Sequence, residues 1–219
     1  MSVYAGLLEE AKVRISAVEA VLNAQVILPS PIAHEFCFLQ LRFLCEVIAL
    51  GCLVLHGDIR AEGHARSIRD GKLKKAWSAQ LIIEELSNLH PSFYPFPTTQ
   101  EKLPIGFHLT ALKPQDYLTR EDLIKLWNTC GEHLHRGNLK KLLKSTMPTQ
   151  FNFPDISGWL KKIGALLSFH VVPLFEPGTL LLVVLRNRDD HERTQVVFAA
   201  ASAPPEGYDL AGAKSSPKD

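Results

Sequence analysis

The chain has 219 residues, 46% of them hydrophobic and 21% charged, enough to bury a core without disulfide or metal staples. A formal net charge of +1 excludes wholesale binding to nucleic acid or to anionic membranes and leaves only local charged patches. Cys37, Cys45, Cys52 and Cys130 form no C-x-x-C pair, which excludes a disulfide framework or zinc cluster and points to a reducing, cytoplasmic setting.

The opening Met1-Ser2-Val3-Tyr4-Ala5 carries no basic-then-apolar signal, so no secretory leader is expected. Leu7, Leu8, Ala11, Ile15, Val18 and Leu22 form a period-3.6 stripe that predicts a first amphipathic helix over 2–24. Ser30 and Pro31 suit the cap and first position of a second helix running to His56. That segment is apolar nearly all round and long enough to cross a bilayer. Arg42 and Glu46 near its middle would each cost roughly 2.5–3.5 kcal/mol in lipid, so a buried central helix is expected and no membrane partner. Residues 59–71 read as a loop, and a third helix is expected from Lys72 to Leu89, burying Leu73, Ala76, Trp77, Leu81, Ile82 and Leu86.

The prolines of 91–97 forbid helix and place Phe93, Tyr94 and Phe96 in extended geometry, and 98–116 looks irregular. Thr119 should cap a fourth helix, with Leu118 contacting Leu123, that ends near Arg136 with Gly137 as its stop. A short basic helix over 138–145 and a fifth helix capped by Asp155 follow. The fifth should bury Ile156, Trp159, Leu160, Ile163, Leu166 and Leu167. The β-favouring runs 179–185 and 194–198 flank a charged tip and predict a hairpin. An isolated hairpin is marginal in water, so it should pack on the helices or pair across a dimer. The expected class is therefore mainly α: an antiparallel bundle of about five helices over 1–171, a C-terminal β-hairpin over 172–203, and a disordered tail over 204–219.

Chemistry-bearing residues crowd at Cys130-Gly131-Glu132-His133-Leu134-His135-Arg136-Gly137-Asn138, where the fourth helix should stop. At 100° per residue, His133 points to water beside Lys125 and Thr129, and His135 sits at the core edge one turn beyond Gly131, which leaves room for a ligand or a second backbone. Arg42 and Glu46 share a face of the second helix; they form either a buried bridge or, with His135, one acid–base site, and Glu35 lies one heptad before. Arg136, Lys140 and Lys144 recur every four residues, with Lys141 alongside and Asn138 in the flanking loop, a basic stripe that would track phosphates. The plainer readings are a histidine cap on the helix end and a solvated basic face. No ligand spacing points to a metal or other cofactor, and G-x-G-x-x-G, P-loop, G-x-S-x-G and H-E-x-x-H are all absent.

A helical bundle ending in Leu134-His135-Arg136-Gly137-Asn138 resembles the HEPN (higher eukaryotes and prokaryotes nucleotide-binding) superfamily. The resemblance covers roughly residues 1–170. Active members of that superfamily are metal-independent endoribonucleases, often toxins or antiviral proteins, that bring two Arg-x4–6-His motifs together in a dimer. By position His135, or His133, carries over; Asn128 stands where the family arginine would, leaving Arg42 or Arg136 to take its place in space. The resemblance implies RNA as partner, a homodimer, His135 as acid–base group and Arg42 or Arg136 on the phosphorane charge, with Glu46 beside them. Lys140, Lys141, Lys144 and Asn138 would hold the strand. The other reading is a non-enzymatic helical assembly module whose hairpin dimerises or captures a protein partner by strand addition.

Overall fold

The computed structural model of the chain describes residues 2–56, 73, 76, 78–134, 151–176, 178–186 and 193–201. Helix α1 (Ser2–Leu22) buries Tyr4, Leu8, Ala11, Ile15 and Val18 on one stripe, as the period-3.6 pattern requires. It lies along α2 (Ser30–His56), which also meets α3 (Ala79–Leu89), α4 (Arg120–Leu134) and α5 (Phe153–Ser168). That central position is why α2 is apolar nearly all round. It is long and apolar enough to span a bilayer, yet 56% of its most apolar window is buried inside the fold. Tyr4 reaches α2 at Gly51, where an added Cβ would stand 2.9 Å from the tyrosine ring.

A mainly α bundle with a lone hairpin is not what forms. The described residues carry five α-helices and a five-stranded antiparallel sheet in the order β2-β1-β3-β4-β5, a mixed α/β arrangement. The expected hairpin exists, as β4 (Thr179–Val184) and β5 (Gln195–Ala200), with Leu182 opposite Val197. It closes onto β3 (Phe169–Pro173), which leaves α5 without a loop because Phe169 is both the C-cap of α5 and the first strand residue. Beyond β3 lies β1 (Phe96–Lys102), paired at Phe96–Val171 and Pro97–His170, and then β2 (Phe107–Ala111). Residues 98–116 are thus largely a second hairpin, with one 3-10 turn at Pro114–Asp116. Gly106, at φ +83°, makes its tight bend.

The reason lies in burial. Val171 and Val172 are both buried, a two-sided pattern that marks an interior strand. On one face Val172, Leu181 and Val183 join the helical core; on the other Phe96, Val171 and Leu180 make a small second cluster. α5 packs against β1, β3 and β4, so the sheet and the helices share one core.

Two helix starts also shift. α3 begins at Ala79 instead of Lys72, because the Ser78 hydroxyl accepts from the Leu81 amide at 3.4 Å. The Ala76 amide already turns back to the Leu73 carbonyl, so the backbone is committed elsewhere before Ser78. Leu81 is 37% exposed and Ile83 takes a core position. α5 is capped by Asn152, whose Oδ1 accepts from the Asp155 amide at 3.3 Å; Asp155 is the third residue of the first turn, not the cap. The entry of α4 is as expected, with Thr119 Oγ1 accepting from the Asp122 amide at 3.1 Å and both Leu118 and Leu123 fully buried. The loop of 59–71, the basic helix of 138–145 and the tail of 204–219 lie outside the described residues.

Candidate functional site

α4 carries the chemistry on two opposite sides. On the side facing α2, Arg42 and Glu46 do come together, with Nε 3.3 Å from Oε1. The same Glu46 oxygen accepts from Trp127 Nε1 at 3.1 Å, and the guanidinium lies 4.3 Å above the Trp127 ring. An added Cβ on Gly131 would stand 3.1 Å from Arg42 Nη1. The room left by Gly131 is therefore filled by this guanidinium and not by a ligand or a second backbone. Side-chain exposures are 18% for Arg42 and 20% for Glu46. Such a pair is costly to desolvate and costly to break; here it fixes the register of α2 on α4, with its charge neutralised in place. Burial pushes the neighbouring Cys130 thiol up to about 12 and holds Cys45 well above the ordinary thiol range, so neither is a nucleophile at neutral pH.

At the C-terminal end of α4, His133 is exposed by area but stacks on Phe38 of α2 at 4.0 Å between centroids. It is not simply solvated, as the helical wheel suggested. His34, 5% exposed, stands edge-on 5.1 Å from it, ringed further by Phe38, Phe151 and Phe153. Burial, and then the charge of His133, hold His34 below the usual imidazole range. His135, Arg136, Asn138, Lys140, Lys141 and Lys144 lie outside the described residues, which end on this helix at Leu134.

The other side of α4 is open. A cleft of about 530 Å³ between α4 and α5 is lined by Lys125, Thr129, Pro154, Asp155, Gly158, Trp159 and Lys162. Trp159 is its half-buried floor, with Lys125 Nζ 6.0 Å and Lys162 Nζ 5.7 Å from the ring centroid. Lys162 is anchored by Asp122 at 2.6 Å, which sets its position over the ring. Gly158 faces open space where any side chain would intrude. An aromatic face flanked by two ammonium groups can stack a planar ring and hold an anion beside it. Sequence reading placed Lys125 and Thr129 toward water and Trp159 in the core, and missed that all three line one cleft. The available signal was Trp159 and Lys162 three apart on α5, but nothing local says which helix they face.

Among the described residues no three His, Cys, Asp or Glu side chains converge as for a metal. No protein-family model matches the chain, and neither does any curated protein or solved structure searched.

Proposed function

We propose that this is a nucleic-acid-binding protein of HEPN-like character that takes single-stranded RNA along the α4–α5 cleft. One observation carries the reading: the Trp159 ring lines an open cleft with the ammonium groups of two lysines over it. Base–aromatic stacking contributes about 1–3 kcal/mol per base, and two ammonium groups supply phosphate contacts despite a net charge of only +1. In this reading Arg42 and Glu46 serve the fold. RNA cleavage, as an endoribonuclease of toxin or antiviral type, would rest on His135 with Arg136, and the strand would continue over Asn138, Lys140, Lys141 and Lys144. The four buried, unpaired cysteines support a reducing compartment such as the cytoplasm.

The test is fluorescence anisotropy with a labelled 12-nucleotide oligo(U). Trp159→Ala is expected to weaken binding at least about tenfold at a temperature where circular dichroism shows both proteins folded; equal affinity for variant and parent refutes the cleft assignment. If the parent cleaves the oligonucleotide, His135→Ala should abolish cleavage while binding survives.

A second reading, a homodimer or a captured partner through the C-terminal hairpin, is favoured by one feature. β5 is an edge strand with Val197 55% and Phe198 60% exposed, and uncharged edges invite another strand. Deleting 176–203 would remove β4 from the sheet interior and with it the fold. Val197→Lys is the cleaner variant: light scattering should show a dimer in the parent and a monomer in the variant, and a monomeric parent excludes the dimer.

A further inference from the structure

Three buried ring nitrogens have no partner among the described residues: Nδ1 and Nε2 of His56, and Nε2 of His90. His56 is the last residue of α2 and is 1% exposed; His90 is the C-cap of α3. Their centroids are 5.1 Å apart with the rings inclined at 55°. The surroundings are apolar, with Phe93 edge-on to His56 at 6.3 Å and Phe175 edge-on to His90 at 6.0 Å. Leaving a buried polar group unmet costs about 1–3 kcal/mol. This fold does satisfy a buried histidine elsewhere: His170 Nε2 meets Tyr4 Oη at 2.8 Å and Nδ1 meets the Leu167 carbonyl at 3.1 Å. The His56–His90 pair is different in kind.

We propose that His56 and His90 form a binding site for a divalent transition-metal ion of the zinc class. The geometry suits one: a tetrahedral ion about 2.0–2.1 Å from one nitrogen of each ring separates the two centroids by roughly 5 Å. The protonation state suits one too. Burial, and then the charge of His90, push His56 down to about 4, and burial holds His90 below its ordinary value, so both lone pairs are free at neutral pH. The Pro173 carbonyl faces the His90 ring. The Phe93 backbone likewise approaches His56, and carbonyls beside both rings are the usual outer support of metal-bound histidines.

The donor set narrows the ion. Two imidazoles with no carboxylate exclude calcium and magnesium, which take oxygen ligands, and favour zinc and its neighbours. No third His, Cys, Asp or Glu joins the pair among the described residues. Among the described residues, water or a small anion would complete the coordination, entering past His90, which is only half-buried. This site is separate from the α4–α5 cleft and stands or falls independently of RNA binding.

The experiment titrates metal-stripped full chain with ZnCl2, followed by calorimetry and by ring NMR of histidine-labelled protein. Saturation at one equivalent is expected, with two of the nine histidines shifted. His90→Ala, on a half-buried cap, should weaken zinc at least about tenfold, whereas the partly exposed His108→Ala should leave it unchanged. The proposal is overturned by absent saturable binding, by unchanged affinity in His90→Ala, or by shifts confined to other histidines. The parent spectrum alone decides the matter if His90→Ala fails to fold.

Discussion

The two sides of α4 combine an aromatic ring, a cation and a carboxylate to opposite ends. Toward α2, Trp127, Arg42 and Glu46 close on one another, and Gly131 lets the guanidinium lie flat against the helix. Toward α5, Trp159 with Lys125, Lys162 and Asp122 borders an open cleft. A planar guanidinium with a carboxylate one turn away satisfies itself, whereas two flexible ammonium groups at nearly 6 Å do not seal an aromatic face. An aromatic–cation–carboxylate set is therefore a structural pin or an open site according to which cation it uses and how deeply it is buried.

The largest effect expected is global, and it sets the conditions for testing that contrast. His56 and His170 are both pushed down to about 4, by burial first, while the unfolded chain takes up these protons near 6.5. Stability is therefore fully present above about pH 6.5 and falls as pH drops toward 4, by about 3 kcal/mol for each ring. Urea midpoints of the metal-free chain measured from pH 7 to 4 check this, and a flat profile would contradict the burial of both rings. The two sides of α4 are accordingly compared above pH 6.5.

Next comes Arg42→Ala, which strands Glu46 at 20% exposure and should cost about 3 kcal/mol. Lys162→Ala, on the open side, should cost less than about 1 kcal/mol. Equal losses in chemical denaturation would erase the distinction between pin and cleft. Trp127→Phe removes only the indole donor to Glu46 and should cost about 1 kcal/mol with oligo(U) affinity unchanged; a fall in affinity would move the RNA site to the wrong side of α4. The smallest effect is Gly131→Ala. Helix propensity favours alanine by about 1 kcal/mol, but the new methyl meets Arg42 Nη1. In a double-mutant cycle the gain should appear only in the Arg42→Ala background.

The helices were legible because each wears its own pattern. The stripe of α1, the all-round apolarity of α2 and the Thr119 cap need no knowledge of what lies across the interface. The C-terminal hairpin was legible for the same reason, in its two β-branched runs. The strands of 96–111 were not. Thr98-Thr99-Gln100-Glu101-Lys102 is polar, and its tie to the rest of the sheet is the Phe96–Val171 and Pro97–His170 pairing, more than seventy residues away. Local pattern reports which face of an element must leave water. It does not report the surface that receives it, because hydrogen-bond partners across a sheet and side chains across a helix interface are chosen by chain contacts remote in sequence. The primary structure by itself determined that Arg42 and Glu46 share a helix face and that Lys125 points away from the core. Only tertiary packing decided that Trp127 and Gly131 lock the first pair, while Trp159 and Lys162 join Lys125 along an open cleft.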